Sequence, residues 1–198
     1  PYDENSAPPE EWSRFDKVEL LLMGLSESNH YDQILIMDAD TLICDFSFDV
    51  TRLLSEDYML VAQRTHEDDP PATRNINDGI TLWNLYHPLT EVVARDSDSA
   101  CWEGMPDNWP FRGDQYYLRQ VLKEEDRESA VSAVWDEFYY RDATAIKHFQ
   151  RSNSCSWNYT GLDSCKEKIQ NATREVCNRF SIDIAKLDDV NYCKGRFR

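Results

Sequence analysis

The stretch Ile34-Leu35-Ile36-Met37-Asp38-Ala39-Asp40-Thr41-Leu42-Ile43 constrains this chain more than any other. Four apolar residues run into two acids one residue apart, and the apolar run then resumes. A continuous apolar run of this length reads as a buried strand, and charged side chains are seldom fully buried without a partner. Alternate residues of a strand share a face, so a strand continuing to Cys44 projects Asp38 and Asp40 together near its end. Two carboxylates held close repel unless a cation lies between them or one takes a proton. The pair therefore points to a hard-metal site or to an acid and nucleophile working together. The plain alternative is a strand that ends in an Asp-rich turn.

The surroundings of that pair narrow the function class. The chain has 198 residues, enough for one domain with a sizeable core. Lys and Arg number 21 against 37 Asp and Glu, a formal net charge of −16. Such a charge argues against nucleic acid or an anionic membrane surface as partner. An anionic substrate would need a metal or a few local cations. No apolar run approaches the ~20 residues of a membrane span. The sequence opens on Pro1 without a visible signal peptide and reads as a piece of a longer chain. Four of the six cysteines (Cys155, Cys165, Cys177, Cys193) cluster at the C-terminal end, among the sequons Asn158-Tyr159-Thr160 and Asn171-Ala172-Thr173. That combination suggests disulfides and an oxidising lumen. The absence of a Cys-x2-Cys pair argues against zinc. Cys44, just after the buried strand, reads as a reduced core residue.

Around the acidic strand, Trp12, Phe15, Val18, Leu21, Leu22 and Leu25 predict an amphipathic helix over 12–26. Its polar face carries Arg14 and Lys17, and packing beside the acids would let one of them meet a phosphate. A short helix is expected over 50–55 and a second buried strand over 58–62. An acidic loop follows over 66–71. Asn77-Asp78-Gly79 leads into a strand from Ile80, either as a turn or as a place where a polar ligand is read. Pro88 opens a helix through Asp96. Residues 98–112 read as an irregular aromatic loop, suited to an acceptor surface. Asp114 starts a helix over 114–124, as a plain N-cap or with Gln115 aimed into a cleft. A strand is expected over 131–135 and an apolar run over 145–151. His148 in that run would join a divalent-metal set if it lay opposite Asp38 and Asp40. The composition turns polar and Cys-rich after 151, with a helix over 162–178. This divides the chain into a main part, 1–151, which the resemblance drawn below implies is a partial catalytic domain, and a Cys-rich C-terminal extension, 152–198.

Two families share parts of this pattern. Asp38-Ala39-Asp40-Thr41 matches the haloacid-dehalogenase signature, in which Asp38 would be nucleophile and Asp40 acid and base. That family also needs a late acidic pair, and Asp188-Asp189 follows Ile184-Ala185-Lys186-Leu187, a poor buried strand. Over residues 12–151 the chain more closely resembles the retaining GT-A glycosyltransferases that include glycogenin, the bacterial lipopolysaccharide galactosyltransferases and the fungal and plant galactosyl/xylosyltransferases. Trp12-Ser13-Arg14 resembles the family's Trp-x-Lys helix, and Ile34 to Ile43 its Asp-x-Asp strand. Asn77-Asp78-Gly79-Ile80 is similar to its Asn-Ala-Gly-Val element, and Gly113-Asp114-Gln115 to its Asp-Gln helix start. Ile146-Lys147-His148-Phe149 resembles the strand that supplies its third metal ligand.

The resemblance implies an α/β, Rossmann-like GT-A fold, a mixed sheet flanked by helices, with its first strand or strands lying outside this sequence. It implies a lumenal enzyme of the Golgi or endoplasmic reticulum, anchored by a segment that is absent here. The enzyme would move a hexose or pentose from a nucleotide-diphosphate donor to a glycan or glycoprotein acceptor with retention. Asp38, Asp40 and His148 would hold Mn²⁺ or Mg²⁺. Arg14, Asp38, Ala39, Asp40, Asn77, Gly79 and Arg151 would contact the donor, Arg151 replacing a phosphate-binding lysine. Asp78, Asp114 and Gln115 would be catalytic. The sequence departs from the family at Tyr116, where a third acid is usual, and at Asp78, where a small residue is usual. A GT-A module that only binds glycans or partners is the non-enzyme alternative.

Overall fold

The computed structural model describes residues 16–28, 30–38, 40–65, 76–103, 114–134, 137–138, 143–148 and 170–180. Its centre is a four-stranded mixed sheet built from β1 (Gln33–Met37), β3 (Leu60–Arg64), β4 (Ile76–Asn84) and β5 (Val131–Val134) in the order β1-β4-β3-β5. β4 pairs antiparallel with both β1 and β3, and β3 pairs parallel with β5. A second, two-stranded antiparallel sheet joins β2 (Thr41–Ile43) to β6 (Ile146–His148).

The period of two along each strand divides the core. Ile34, Ile36, Leu60, Ala62, Trp83 and Val131 face one way. There they meet Leu21 of α1 (Asp16–Ser26), Val93 and Ala94 of α2 (Thr90–Glu103) and Leu118 of α3 (Asp114–Val121). Leu35, Met37, Val61, Ile80, Leu82 and Val134 face the other way. They pack on Ile43 of β2, Ile146 of β6 and the 3-10 turn Val50–Leu53. Met59, Leu60, Val61, Ile76, Ile80 and Ile146 are essentially inaccessible to water. Each such side chain is worth about 1.5–3 kcal/mol of hydrophobic burial, which is why these alternating runs hold their register.

Several local expectations change. The acidic strand does not continue to Cys44. It ends at Met37, and β2 begins at Thr41 in the other sheet. The Thr41 N–H (3.2 Å) and hydroxyl (2.7 Å) both donate to the Asp38 carbonyl, closing a turn that carries the chain from one sheet to the next. β4 begins at Ile76, not Ile80. α2 starts at Thr90, not Pro88, where the Thr90 hydroxyl donates to Asn84 O at 2.6 Å. It runs to Glu103, so part of the expected aromatic loop is helical. α3 stops at Val121, and a short α4 (Glu125–Ser129) follows. Arg127 of α4 is pinned to Asp96 of α2 at 2.7 Å.

Residues 170–179 are helical, overlapping the expected 162–178 segment and ending one residue beyond it. They lie beside the residues after β2, with Arg179 at 3.7 Å from Asp45 and Phe180 edge-on to Phe46. Cys44 is a buried free thiol, as expected, and so is Cys101; of the C-terminal cluster, Cys177 is a buried free thiol and forms no disulfide among the described residues. The remaining cysteines, the helix start at 12–15, the loops over 66–75 and 104–113 and the segment 151–169 lie outside the described residues. Among the described residues, no helix is long and apolar enough to cross a membrane.

Candidate active site

The site forms where the chain changes sheets, and an irregularity in β4 makes room for it. Along β3 and β4, Ala62 pairs with Thr81 but the next residue, Gln63, pairs with Asn77. Asp78, Gly79 and Ile80 therefore have no partner on that side and bulge from the ladder, a device that re-aims side chains. The bulge stays tied to the opposite strand, because the Asp38 N–H donates to Gly79 O at 2.8 Å. Asn77 holds it from within: its Oδ1 accepts from the Gly79 N–H at 2.9 Å, an Asx-type bond. The Asn-Asp-Gly sequence is thus part of a strand, with its turn chemistry used to make the bulge.

His148 fills the space above Gly79. A Cβ on Gly79 would lie 2.0 Å from His148 Cε1, so only glycine lets the imidazole seat there. β6 supplies the ring in register, since His148 pairs with Thr41, one residue from Asp40. His148 Nε2 lies 3.5 Å from Asp38 Oδ2 and 3.4 Å from Asp40 Oδ1. On the far side of the ring, Nδ1 lies 2.9 Å from Oε1 of the fully buried Gln63. One ligand atom from each of Asp38, Asp40 and His148 falls within 4.8 Å of the others. Two carboxylate oxygens and an imidazole nitrogen converging on one point fit a divalent cation such as Mn²⁺ or Mg²⁺.

On the helix side, Lys17 of α1 is the centre of a second cluster. Its Nζ lies 2.9 Å from Asp38 Oδ1, 3.2 Å from Asp78 Oδ2 and 3.2 Å from Asp114 Oδ2. It also donates to the Asp78 carbonyl at 3.3 Å. Asp38 therefore joins the two groups, one oxygen toward Lys17 and the other toward His148. Burial pulls the Lys17 ammonium down, but Asp78, Asp114 and Asp38 together outweigh it and hold it above the ordinary lysine range. Burial pushes the Asp78 carboxyl up to about 7, the Asp114 charge adds to the push, and Lys17 opposes it. Three carboxylates gather around one ammonium, so this cluster is short of positive charge.

Asp114 is the first residue of α3 and not its cap, and its carboxylate turns inward. Its Oδ1 accepts the Gln115 N–H at 2.8 Å while Oδ2 faces Lys17. Gln115 Oε1 receives Asn77 Nδ2 at 3.0 Å and the Asp78 N–H at 3.4 Å. Turned over, the same amide would reach Asp78 Oδ1 at 3.3 Å and Arg119 at 2.9 Å. Either way it ties the start of α3 to the bulge. A cavity of about 30 Å³, lined by Lys17, Asp78, Asp114, Thr81, Ser97 and Trp83 among others, adjoins the cluster. It has room for a water or two and not for a sugar.

The structure thus brings Asp38, Asp40 and His148 to one point and sets Asn77, Asp78, Gly79, Asp114 and Gln115 beside them. Arg14, Ala39 and Arg151 lie outside the described residues. Two residues carry more than the sequence assigned to them. Lys17, weighed only as one of two cations on its helix face, is the shared partner of three acids. Its signal was its position one turn before the buried Leu21. Gln63 was not singled out at all. It is the one polar residue continuing the buried run Met59-Leu60-Val61-Ala62.

No family model matches the sequence, and no curated protein matches it. Solved structures do. A glycosyltransferase involved in glycosylation of the major capsid of PBCV-1 aligns over 83% of this chain and 81% of its own, at 10% identity and a TM-score of 0.55. The apo-form glycosyltransferase GlyE of Streptococcus pneumoniae TIGR4 aligns over 85% of this chain at 18% identity and a TM-score of 0.51. The chain spans a little under half of that protein, 46% of its length. The fold, a mixed sheet flanked by helices, is therefore one that glycosyltransferases adopt. It does not favour the haloacid-dehalogenase alternative.

Proposed function

We propose that this chain carries the catalytic centre of a metal-dependent glycosyltransferase that moves a sugar from a nucleotide-diphosphate donor to a glycan or protein acceptor with retention. The observation that carries the reading is the convergence of His148 on Asp38 and Asp40, at 3.5 and 3.4 Å, within a glycosyltransferase fold. An ordinary Asp-rich turn has no use for an imidazole delivered from another sheet.

Asp38, Asp40 and His148 would hold the cation, and a divalent ion bound there neutralises charge on the departing diphosphate. The rest of the chemistry falls to the protein. Lys17, charged throughout the physiological range, is the ammonium beside the metal ligands and offers a donor to the diphosphate or the sugar as the bond to the anomeric carbon breaks. Asp78 and Asp114 offer carboxylate oxygens to sugar hydroxyls, and Gln115 offers an amide that can donate or accept. The new bond forms between the anomeric carbon and the acceptor oxygen, whose proton passes to the leaving diphosphate on the same face. The sequons at Asn158 and Asn171 support a secretory lumen as the place of action.

A thermal-shift panel of nucleotide sugars with and without Mn²⁺ tests the reading. A donor at 100 times its Kd adds about 2.7 kcal/mol, or roughly 5–10 °C for a domain of this size. The shift should need Mn²⁺ and vanish in Asp38→Ala and His148→Ala. A panel that stays flat with and without metal supports a module that only binds glycans or partners. A covalent aspartyl-phosphate at Asp38 would return the phosphatase.

A further inference from the structure

The buried contact between His148 and Gln63 bears on how the imidazole can act. A side-chain amide oxygen only accepts hydrogen bonds, so with Oε1 of Gln63 turned to the ring, Nδ1 of His148, 2.9 Å away, is the donor. In a neutral imidazole that leaves the lone pair on Nε2. Nε2 faces Asp38 Oδ2 and Asp40 Oδ1. Three lone-pair atoms aimed at one point repel unless a cation joins them, so this tautomer suits a metal and works against a plain hydrogen bond.

Resting on the metal reading above, we propose that Gln63 is the positioning residue of the metal centre: its oxygen holds the Nδ1 proton of His148, fixing the ring so that Nε2 is the ligand. Three further observations support it. Gln63 is fully buried, so water cannot take over the role. It stands at the register shift where its partner across β4 jumps to Asn77, facing the gap that the imidazole enters. Its Nε2 finds no hydrogen-bond partner among the described residues. An apolar residue of the same shape would avoid stranding that donor. An amide kept in a dry slot for the sake of one bond serves the bond. Acceptors behind metal-bound histidines are worth about 10–100-fold in metal affinity.

Mn²⁺ alone is the probe, with free Mn²⁺ counted by electron paramagnetic resonance on the full chain. Gln63→Met keeps the length and removes both polar atoms. It should weaken Mn²⁺ binding by about 10–100-fold, while Gln63→Glu, which keeps an acceptor, stays within ~3-fold of wild type. The melting temperature of the Met variant should hold or rise, whereas a packing role for Gln63 would lower it. Unchanged Mn²⁺ affinity in Gln63→Met, or equal losses in both variants, would overturn the assignment to Gln63 and leave the metal site standing. Failure of the wild-type chain to bind Mn²⁺ would overturn the metal reading and this inference with it. Nitrogen-resolved spectra of the Mg²⁺-loaded wild type decide the point even if the variants misfold. The proton belongs on Nδ1 of His148, and a proton on Nε2 refutes the proposal.

Discussion

Replacing Gly79 by alanine adds one methyl group, and its consequences can be worked out from the structure. The new Cβ would lie 2.0 Å from His148 Cε1, 2.5 Å from Nδ1 and 2.7 Å from Nε2. Ordinary contact begins at 3.4 Å, so the imidazole must retreat by about 1.4 Å or swing away. First-shell distances tolerate shifts of only ~0.2 Å, so the ring leaves the metal position. The backbone at Gly79 is outside the left-handed region, so the cost is steric and not conformational. Overpacking costs about 1–3 kcal/mol, and stranding the buried Gln63 oxygen adds about 1–3 kcal/mol.

Gly79→Ala should therefore lose Mn²⁺ binding as fully as His148→Ala while unfolding at lower denaturant. The pair should also be non-additive. In Gly79→Ala/His148→Ala the methyl falls into space that the imidazole has vacated, so the double variant should recover about 0.5–3 kcal/mol over the summed singles. Urea unfolding and Mn²⁺ titration of the four proteins give the cycle. Wild-type Mn²⁺ affinity in Gly79→Ala, or strict additivity of the stabilities, would refute the packing of His148 on Gly79 and with it the geometry of the site.

The Lys17 cluster makes a pH-dependent prediction. Asp78 holds its proton up to about 7 in the fold, against 3.8 for an ordinary aspartate. The stability this group contributes is complete below pH 4, is lost as pH rises through 7, and is flat above, an effect of up to roughly 4 kcal/mol. The melting temperature of Asp78→Asn minus that of wild type should therefore climb between pH 4 and 7; a flat difference would contradict the burial of the charged carboxylate. Lys17→Met removes the shared cation from three acids and should cost roughly 3 kcal/mol at pH 8. Adding Asp78→Asn should restore part of that loss, and strict additivity would count against the shared partner. Asn171 is exposed on its helix, so chain made through a secretory pathway should lose mass at that position on glycosidase treatment. An unmodified Asn171 would remove the support that this sequon gives to a lumen.

What could be read from the sequence follows from the range of the forces involved. The apolar run of β1, the acids at its end and the helical stripe of α1 are local patterns, and each appears where its period placed it. The mistake at β2 has a physical origin. Ile43 is as apolar as Ile36, and burial alone does not say against which sheet a residue is buried. The hydroxyl of Thr41, which closes the turn on Asp38 O, was the one local clue. Gln63 and the bulge were beyond local reading, because their meaning lies in a residue 85 positions away. Lys17 was visible but undecided, since a cation on a helix edge meets solvent more often than three acids.

The alternation that organises the sheet also explains why the two charge clusters share Asp38. Ile36 faces the helices and Met37 the small sheet, and Asp38 is the first residue past the ladder that packing confines to neither face. One carboxylate can therefore meet α1 through Oδ1 and β6 through Oδ2. In the proposed function, Asp38 would share its charge between a cation held with His148 and the Lys17 ammonium, leaving Lys17 freer to meet an anionic donor. In the proposed reaction the donor's negative charge would replace that of Asp38 beside Lys17, so that the ammonium keeps an anionic partner throughout. On this account Asp38→Asn should weaken Mn²⁺ binding and donor binding together, because the carboxylate serves both, whereas Asp114→Asn should spare the metal and weaken the donor alone. Mn²⁺ and donor titrations of the two variants would separate them, and equal loss of Mn²⁺ affinity in both would mean that the clusters are not divided at Asp38.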